Sequence, residues 1–144
     1  MRRDYFTLDV ETAERERPVV NVEFDGPDGL LAERLTDESG APLDAADIDV
    51  SYRLREPVDE SAWGVLAVSN RYTGAFLFEL DTSADVVFDL VRAARDGEES
   101  DGQFRLVVDH DRPLLDVDVD TLLVYDENGG LLRRHSLVSS GVEL

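Results

Sequence analysis

The sequence contains neither cysteine nor lysine. Without cysteine among its 144 residues, the chain can form no disulfide bond and offers no thiolate metal ligand or thiol nucleophile. Its 14 basic residues are all arginine. Arginine is the basic side chain whose planar guanidinium pairs best with carboxylates, so we expect these residues to serve mainly in ion pairs.

Long apolar segments are also missing. No run approaches the roughly 20 apolar residues that a membrane-spanning helix needs. The opening "MRRDYF" has the twin arginine of one class of export signal, but the "TLDVETAERER" that follows it is acidic where such a signal is apolar. The sequence therefore predicts a cytoplasmic protein without a membrane segment.

Acidic residues, in contrast, are abundant. They number 33 against 14 basic residues, which gives a formal charge of −19, and they extend from Asp4 to Glu143. Such a charge destabilises a compact fold by self-repulsion, whereas at about 1 M salt the Debye length falls to about 3 Å and the repulsion is screened. The composition favours a halophilic protein with an acidic surface over an acidic mesophilic domain, in which the excess acid usually occupies a tail.

The basic residues do not indicate a nucleic-acid surface. Eight of the 14 form pairs, at positions 2 and 3, 15 and 17, 53 and 55, and 133 and 134, and these pairs are scattered along the chain. Contacts to phosphate also weaken steeply as salt rises. We therefore do not expect nucleic acid to be a partner.

Apolar and polar residues alternate along most of the chain, as they do in β-strands with one buried face. Two segments have helical spacing instead, "GPDGLLAERLTDESG" and "DTSADVVFDLVRAARDG", and each ends in a glycine. The pattern predicts a single α+β domain over residues 1–144, with about eight strands and two helices in the order ββαβββαβββ. We expect one mostly antiparallel sheet with the two helices packed on it.

A hairpin is predicted near the C-terminal end. Asp126 to Gly129 fit a type I turn that ends in a left-handed glycine. The flanking segments "TLLVY" and "LLRRHSLV" should then pair as antiparallel strands. The apolar residues from Leu115 to Tyr125 keep the period of one strand leading into this turn.

The carboxylates of that strand resemble a metal-binding loop. Asp116, Asp118, Asp120 and Glu127 occupy positions 1, 3, 5 and 12 of a calcium-binding loop, but position 6, which requires glycine, is Thr121. Along a strand the three aspartates lie about 6.6 Å apart on one face, too far apart for all three to close on one ion. A solvated strand face is the favoured interpretation, and a weak cation site is the alternative.

The chain offers little for catalysis. The pair His110–Asp111 resembles the signature of helical metal phosphohydrolases, but those enzymes need further histidines, and the only other one here is His135. We interpret "DHDRP" as a turn between two strands. Neither a nucleophile elbow nor a phosphate-binding glycine loop is present, so no catalytic residue, metal ligand or cofactor is predicted.

One loop has the composition of a binding site. In "SNRYTG", Asn70, Arg71 and Tyr72 would combine an arginine fork with an aromatic ring at a loop tip, a pairing common at binding hot spots. The alternative is a plain turn bent by Asn70 and Gly74. Trp63, the only tryptophan, follows a polar loop and is predicted to cover the core rather than to bind a ligand.

Three segments, "MRRDYFTLDV", "SNRYTGAFLFEL" and "TLLVYDENGGLLRRHSLVSSGVEL", resemble an uncharacterised family of small acidic haloarchaeal proteins, a domain of unknown function. That resemblance implies a halophilic, cytoplasmic protein but no activity. The favoured hypothesis is a non-catalytic binding or protein-interaction module, with an unknown protein partner or with self-association through an uncovered strand. The alternative is a small metal-dependent hydrolase that uses the Asp116/Asp118/Asp120 face or His110.

Overall fold

The computed structural model describes residues 2–12, 16–27 and 29–138. In this part of the chain eight strands and two α-helices occur in the predicted order, although the last two strands are not the two that were predicted. The strands and α-helices are β1 (Phe6–Glu11), β2 (Val19–Phe24), α1 (Leu30–Arg34), β3 (Ile48–Leu54), β4 (Trp63–Asn70), β5 (Phe76–Ser83), α2 (Ala84–Asp96), β6 (Phe104–Asp109), β7 (Pro113–Val119) and β8 (Leu122–Tyr125). Short 3-10 helices lie at Arg3–Tyr5, Ala45–Asp47 and Arg133–His135. The fold class is α+β, as predicted.

The prediction of one mostly antiparallel sheet was wrong in part. The eight strands form two four-stranded sheets, a first sheet in the order β1-β2-β6-β7 and a second in the order β5-β4-β3-β8. Each sheet is mixed, because β2 pairs with β6 and β3 with β8 in parallel, while the other neighbours are antiparallel. The physical reason is that the apolar face of a sheet must be covered by other elements. Helices of 5 and 13 residues are too short to cover the apolar face of an eight-stranded sheet, so the two sheets share one core.

The predicted strand from Leu115 to Tyr125 is two strands in different sheets. The alternation shifts by one residue at the break, since Val119 is buried at the end of β7 and Leu122 is buried at the start of β8. Beyond β8, the expected partner strand is reduced to isolated bridges from Tyr125 to Leu131 and from Leu122 to Leu137, on either side of a 3-10 turn. The turn itself is confirmed: Gly129 has φ +86° and its N–H donates to the Asp126 carbonyl at 3.0 Å.

Inward-facing residues of both sheets and one side of α2 form a single core. Val87, Leu90, Val91 and Ala94 of α2 are buried, which confirms the apolar stripe predicted for this helix. The two sheets also touch directly at their edges, where the rings of Phe6 in β1 and Phe78 in β5 stack with centroids 5.1 Å apart. Over the described residues, no helix is long and apolar enough to cross a bilayer.

The middle of the second sheet is packed tightly on its inner side. Tyr52 of β3 is fully buried, and its hydroxyl reaches across β4 to donate to the Thr82 carbonyl of β5 at 2.8 Å. Burial, with smaller contributions from Asp85 and Glu56, raises the pKa of this phenol well above its usual range. The crossing passes over Gly64, where an added Cβ would lie 2.6 Å from the Tyr52 ring and from the Arg53 carbonyl oxygen. The close approach therefore requires glycine.

Candidate functional site

The outer side of the second sheet, which we call the open face, combines apolar, aromatic and charged side chains. Alternation along β4 places Trp63, Val65 and Ala67 on this side, because Gly64, Leu66 and Val68 point into the core. The register then brings Arg53 of β3 beside Val65, and Tyr125 of β8 beside Arg53. The open face comprises Ser51, Arg53, Trp63, Val65, Ala67, Phe76, Glu79, Asp81 and Tyr125, with Arg3, Arg55 and Glu127 at its rim.

A groove of about 790 Å³ runs over this face. Its floor consists of small side chains at the centre of the sheet, Ser51, Val65 and Ala67. Longer groups stand on both sides of the floor: Arg3 and Phe76 lie on the β5 side, and Tyr125 and Glu127 lie on the β8 side. The groove is open to solvent along its length and is shaped to receive a protruding surface rather than to enclose a small molecule.

Two aromatic side chains on the open face are left in solvent. Trp63 is 54% exposed and Phe76 is 60% exposed. The prediction that Trp63 covers the core was therefore wrong: it occupies an outward position of β4, so its ring points away from the core. A strand as apolar as "GVLAVSN" is typical of a sheet covered on both sides, yet the described residues cover only one side of β4.

The three arginines of the open face have weak partners within the described residues. The Arg3 guanidinium lies 3.6 Å from the Asp81 carboxylate. Arg53 donates only to the Glu127 backbone carbonyl, at a long 3.4 Å. Among the described residues, Arg55 forms no side-chain hydrogen bond or ion pair. These guanidinium groups therefore have donors left for a ligand.

Arginines elsewhere are committed to the fold. Arg105 donates from Nε to the Asp116 carboxylate at 2.7 Å, and Arg17 lies 3.1 Å from Asp118. The hydrogen bond from Arg105 holds the pKa of the Asp116 carboxyl below its usual range. These arginines serve in ion pairs, as expected from the sequence. The arginines of the open face differ from them, because their guanidinium groups have weak partners or none among the described residues.

The predicted binding residues Asn70, Arg71 and Tyr72 lie together at the end of β4. The Asn70 side-chain oxygen accepts hydrogen bonds from the backbone N–H groups of Tyr72 and Thr73, at 2.9 and 3.1 Å, and so forms the turn. Arg71 points back to the sheet, where it donates to the Asp49 carboxylate at 3.0 Å and to the Ile48 carbonyl at 2.9 Å. Its fork is thus used within the fold.

Tyr72 keeps the features expected of a binding residue. It is 75% exposed and, with Asn70, lines a shallow depression of about 500 Å³ together with the loop at residues 36–39. With Arg71 engaged elsewhere, the aromatic ring is the only one of the three side chains here that projects freely. Binding at this loop stays a prediction.

The acidic stretch does not converge on one point. Asp116 and Asp118 lie on β7 of the first sheet and face Arg105 and Arg17, whereas Glu127 belongs to the turn after β8, in the second sheet. No group of three histidine, aspartate or glutamate side chains placed to hold a metal ion occurs among the described residues. The ion pairs of Asp116 and Asp118 were not predicted, because no local sequence pattern links Arg17 or Arg105 to β7.

His110 lies in the turn between β6 and β7, as predicted for "DHDRP". Its ring nitrogen Nδ1 is 2.8 Å from the Phe24 carbonyl oxygen, and its ring meets that of Phe24 edge-on with centroids 5.1 Å apart. The histidine therefore ties this turn to the end of β2.

The open face was not identified from the sequence, although a signal for it exists. The run "GVLAVSN" is apolar at both inward and outward positions, and Arg53 and Arg55 alternate with the buried residues Tyr52 and Leu54 on the neighbouring strand. An apolar strand beside outward arginines indicates a face that is neither core nor ordinary solvated surface.

The model of a family described as "Family of unknown function (DUF5793)" matches residues 1–144. No curated protein and no solved structure is significantly similar to this sequence.

Proposed function

Because the chain belongs to this family of unknown function, we propose from its geometry that it is a non-catalytic protein-interaction module that binds through the open face. The observation that carries the proposal is the exposure of Trp63 and Phe76 beside a groove with an apolar floor. Tryptophan, tyrosine and arginine dominate binding energy at protein interfaces. Tyr125 and three arginines line this groove, and Trp63 lies on the same face of the sheet.

The shape and chemistry of the groove favour a macromolecular partner. A stable protein interface buries about 800 Å² on each partner, and a four-stranded face with exposed rings near its two ends can supply a patch of this kind. Glu79 and Tyr125 add polar atoms beside the apolar floor, as at the rims of known interfaces.

We also propose that the protein acts in a cytoplasm of high salt. The charge of −19 is easiest to accommodate where ions screen it. In such a medium, apolar contacts between proteins persist while long-range attraction between charges is suppressed. An interface built on exposed aromatic rings suits that condition better than one built on charge alone.

Photo-crosslinking from the groove tests the proposed function. A benzoylphenylalanine residue would replace Phe76 in one variant and Tyr72, outside the groove, in another, and both would be irradiated in cells of the source organism. Both side chains are exposed aromatics, so the two probes differ in location rather than in character. We expect a discrete covalent adduct from position 76 and none from position 72.

The possible outcomes separate the two candidate surfaces. An adduct only from position 72 would move the interaction to the loop at Asn70–Tyr72 and contradict a role for the open face. Failure of both probes, with circular dichroism unchanged from that of the wild type, would contradict the interaction module itself.

A further inference from the structure

We propose that the occupant of the open face is a second copy of the same chain, bound about a twofold axis to form a homodimer. This inference rests on the proposed function and specifies its partner. In a twofold contact the same patch is used by both copies, so each group on the patch must find its complement on that patch. The open face meets this requirement in charge.

The charges of the open face balance. Its positive groups are Arg3, Arg53 and Arg55, and its negative groups are Glu79, Asp81 and Glu127. Asp49, which also projects outward from β3, is paired with Arg71. With that neutral pair included, positive and negative charges on this face cancel, so the whole formal charge of −19 lies outside it. Two copies that approach through the outer side of the first sheet bring carboxylates together, whereas through the open face they meet as neutral patches.

The arginines of the open face also lack what the second copy would provide. Arg55 has no ion-pair partner among the described residues, and the pair of Arg3 with Asp81 is long at 3.6 Å. Glu79, near the middle of the face, likewise accepts no side-chain hydrogen bond within the described part of the chain. Face-to-face packing of two copies supplies carboxylates to the arginines and arginines to the carboxylates at once.

The outer side of the first sheet provides an internal contrast. Glu23 of β2 lies opposite Asp109 of β6, and Asp9 and Glu11 project from β1 on the same side. Like charges directly opposite each other repel. That side is therefore unsuited to contact with its own copy, and the open face is the one sheet surface on which self-association is favourable.

Dependence on salt distinguishes a second copy from an acidic partner. Association of two chains of charge −19 through a neutral apolar patch strengthens as salt rises, because salt screens the repulsion between the remaining charges. Binding of an acidic partner to the three arginines would weaken as salt rises, because the attraction is screened. The strength of association therefore rises with salt concentration if the occupant is a second copy and falls if it is an acidic partner.

Sedimentation velocity with charge-reversed variants tests the homodimer. One variant carries Arg3→Glu, Arg53→Glu and Arg55→Glu, and the other carries Glu79→Arg, Asp81→Arg and Glu127→Arg. In molar potassium chloride we expect the wild type to sediment as a particle with twice the 16.1 kDa mass of the chain. Each variant alone should dissociate about tenfold or more readily, because like charges now face each other.

Mixing the two variants restores opposite charges across the interface. We therefore expect the mixture to form a dimer whatever the pairing of individual residues. Arg112→Glu, in the exposed turn between β6 and β7, is the matched control and should dimerise like the wild type. Phe76→Asp, a single change in an exposed ring, gives a second disruptive variant if a triple variant loses its far-UV circular dichroism.

A wild type that remains monomeric at high concentration in molar salt would overturn the homodimer. A dimer that survives both triple reversals, or a mixture of folded variants that does not associate, would overturn the placement on the open face. A monomeric wild type that still crosslinks from position 76 to a different protein would refute the second copy and leave the proposed function in place.

Discussion

On the outer side of the first sheet, β1, β2, β6 and β7 present carboxylates and a few arginines that pair with them. On the outer side of the second sheet, β3, β4 and β5 present aromatic and apolar side chains between arginines that pair weakly. Asp116 with Arg105 represents the first side, and Trp63 beside Arg55 represents the second. The inner sides are alike, since both contribute to the same core.

The difference separates two uses of a sheet surface. The carboxylates on the outer side of the first sheet are strongly hydrated groups, which suits a surface that stays in solvent. The open face carries no excess charge and leaves apolar area uncovered, which is costly in water unless another surface buries it. The chain thus concentrates its acid away from the surface on which contact is proposed.

The largest expected effect comes from removing salt. Dialysis from molar potassium chloride to low salt should destabilise the wild type by an amount on the order of 5 kcal/mol, comparable to the stability of a small domain. Loss of the far-UV circular dichroism signal is the measurement. A spectrum and melting temperature that do not depend on salt would contradict the halophilic interpretation.

Two matched triple variants sharpen this prediction. One variant neutralises the outer side of the first sheet with Asp9→Asn, Glu11→Gln and Glu23→Gln. The other neutralises the open face with Glu79→Gln, Asp81→Asn and Glu127→Gln. Each changes the formal charge from −19 to −16 by removing three negative charges. Only the first should lower the salt needed for folding, because its carboxylates repel one another while those of the open face lie among arginines. Equal decreases in the salt concentration needed for folding would contradict the proposed difference between the outer sides of the two sheets.

A smaller effect is expected from adding carbon atoms on opposite sides of β4. Gly64→Ala places a methyl group 2.6 Å from the Arg53 carbonyl oxygen and the Tyr52 hydroxyl, on the packed inner side. We expect a loss of about 3 kcal/mol in the free energy of unfolding, as for severe overpacking. Val65→Ile adds carbon toward the groove at a partly exposed position on the outer side and should cost no more than about 0.5 kcal/mol. Urea denaturation in molar salt measures both, and comparable losses would show that the outer side is packed as tightly as the inner one.

Strands, helices and turns followed from local patterns, but their assembly did not. The stripe of α2 and the left-handed Gly129 are encoded by neighbours within a few residues. The division into two sheets depends on pairings such as Val20 with Leu106, which lie far apart in the sequence and have no local signature. The shift of alternation between Val119 and Leu122 was missed for a related reason, because period two was extended across a point where the chain changes sheets.

The candidate site could be predicted from the sequence only in part. The apolar run of β4 indicated burial on both sides, but the sequence does not say whether the second cover comes from the same chain. Arg71 appeared available at a loop tip, although the fold commits it to Asp49. Arg53 looked like one of several scattered basic residues until the register placed it beside Tyr125 on the open face.

The smallest expected effect concerns single carboxylates of the first sheet. Asp116→Asn removes the acceptor of Arg105 and should cost about 0.5 kcal/mol or less, since the pair is exposed. The pKa of the Asp116 carboxyl is lowered in the folded state, so its contribution is present above the pKa of the unfolded chain and is lost as pH falls through the folded value. The difference between the variant and the wild type should therefore vanish in acid.

Asp9→Asn, on the same side of the sheet but without an ion-pair partner among the described residues, is the control and should not destabilise the fold. Urea denaturation at neutral and acidic pH measures both variants. Equal losses from the two variants would mean that the pairing with Arg105 contributes nothing.

Quenching of Trp63 fluorescence tests the central claim, that the open face is covered by a second copy, most directly. Trp63 is the only tryptophan and is 54% exposed in the single chain, so it reports on this face alone. In molar potassium chloride, we expect acrylamide to quench its emission strongly in dilute protein and weakly in concentrated protein, with the change following dimerisation. Strong quenching at every concentration would show that the open face remains in solvent and would contradict the account.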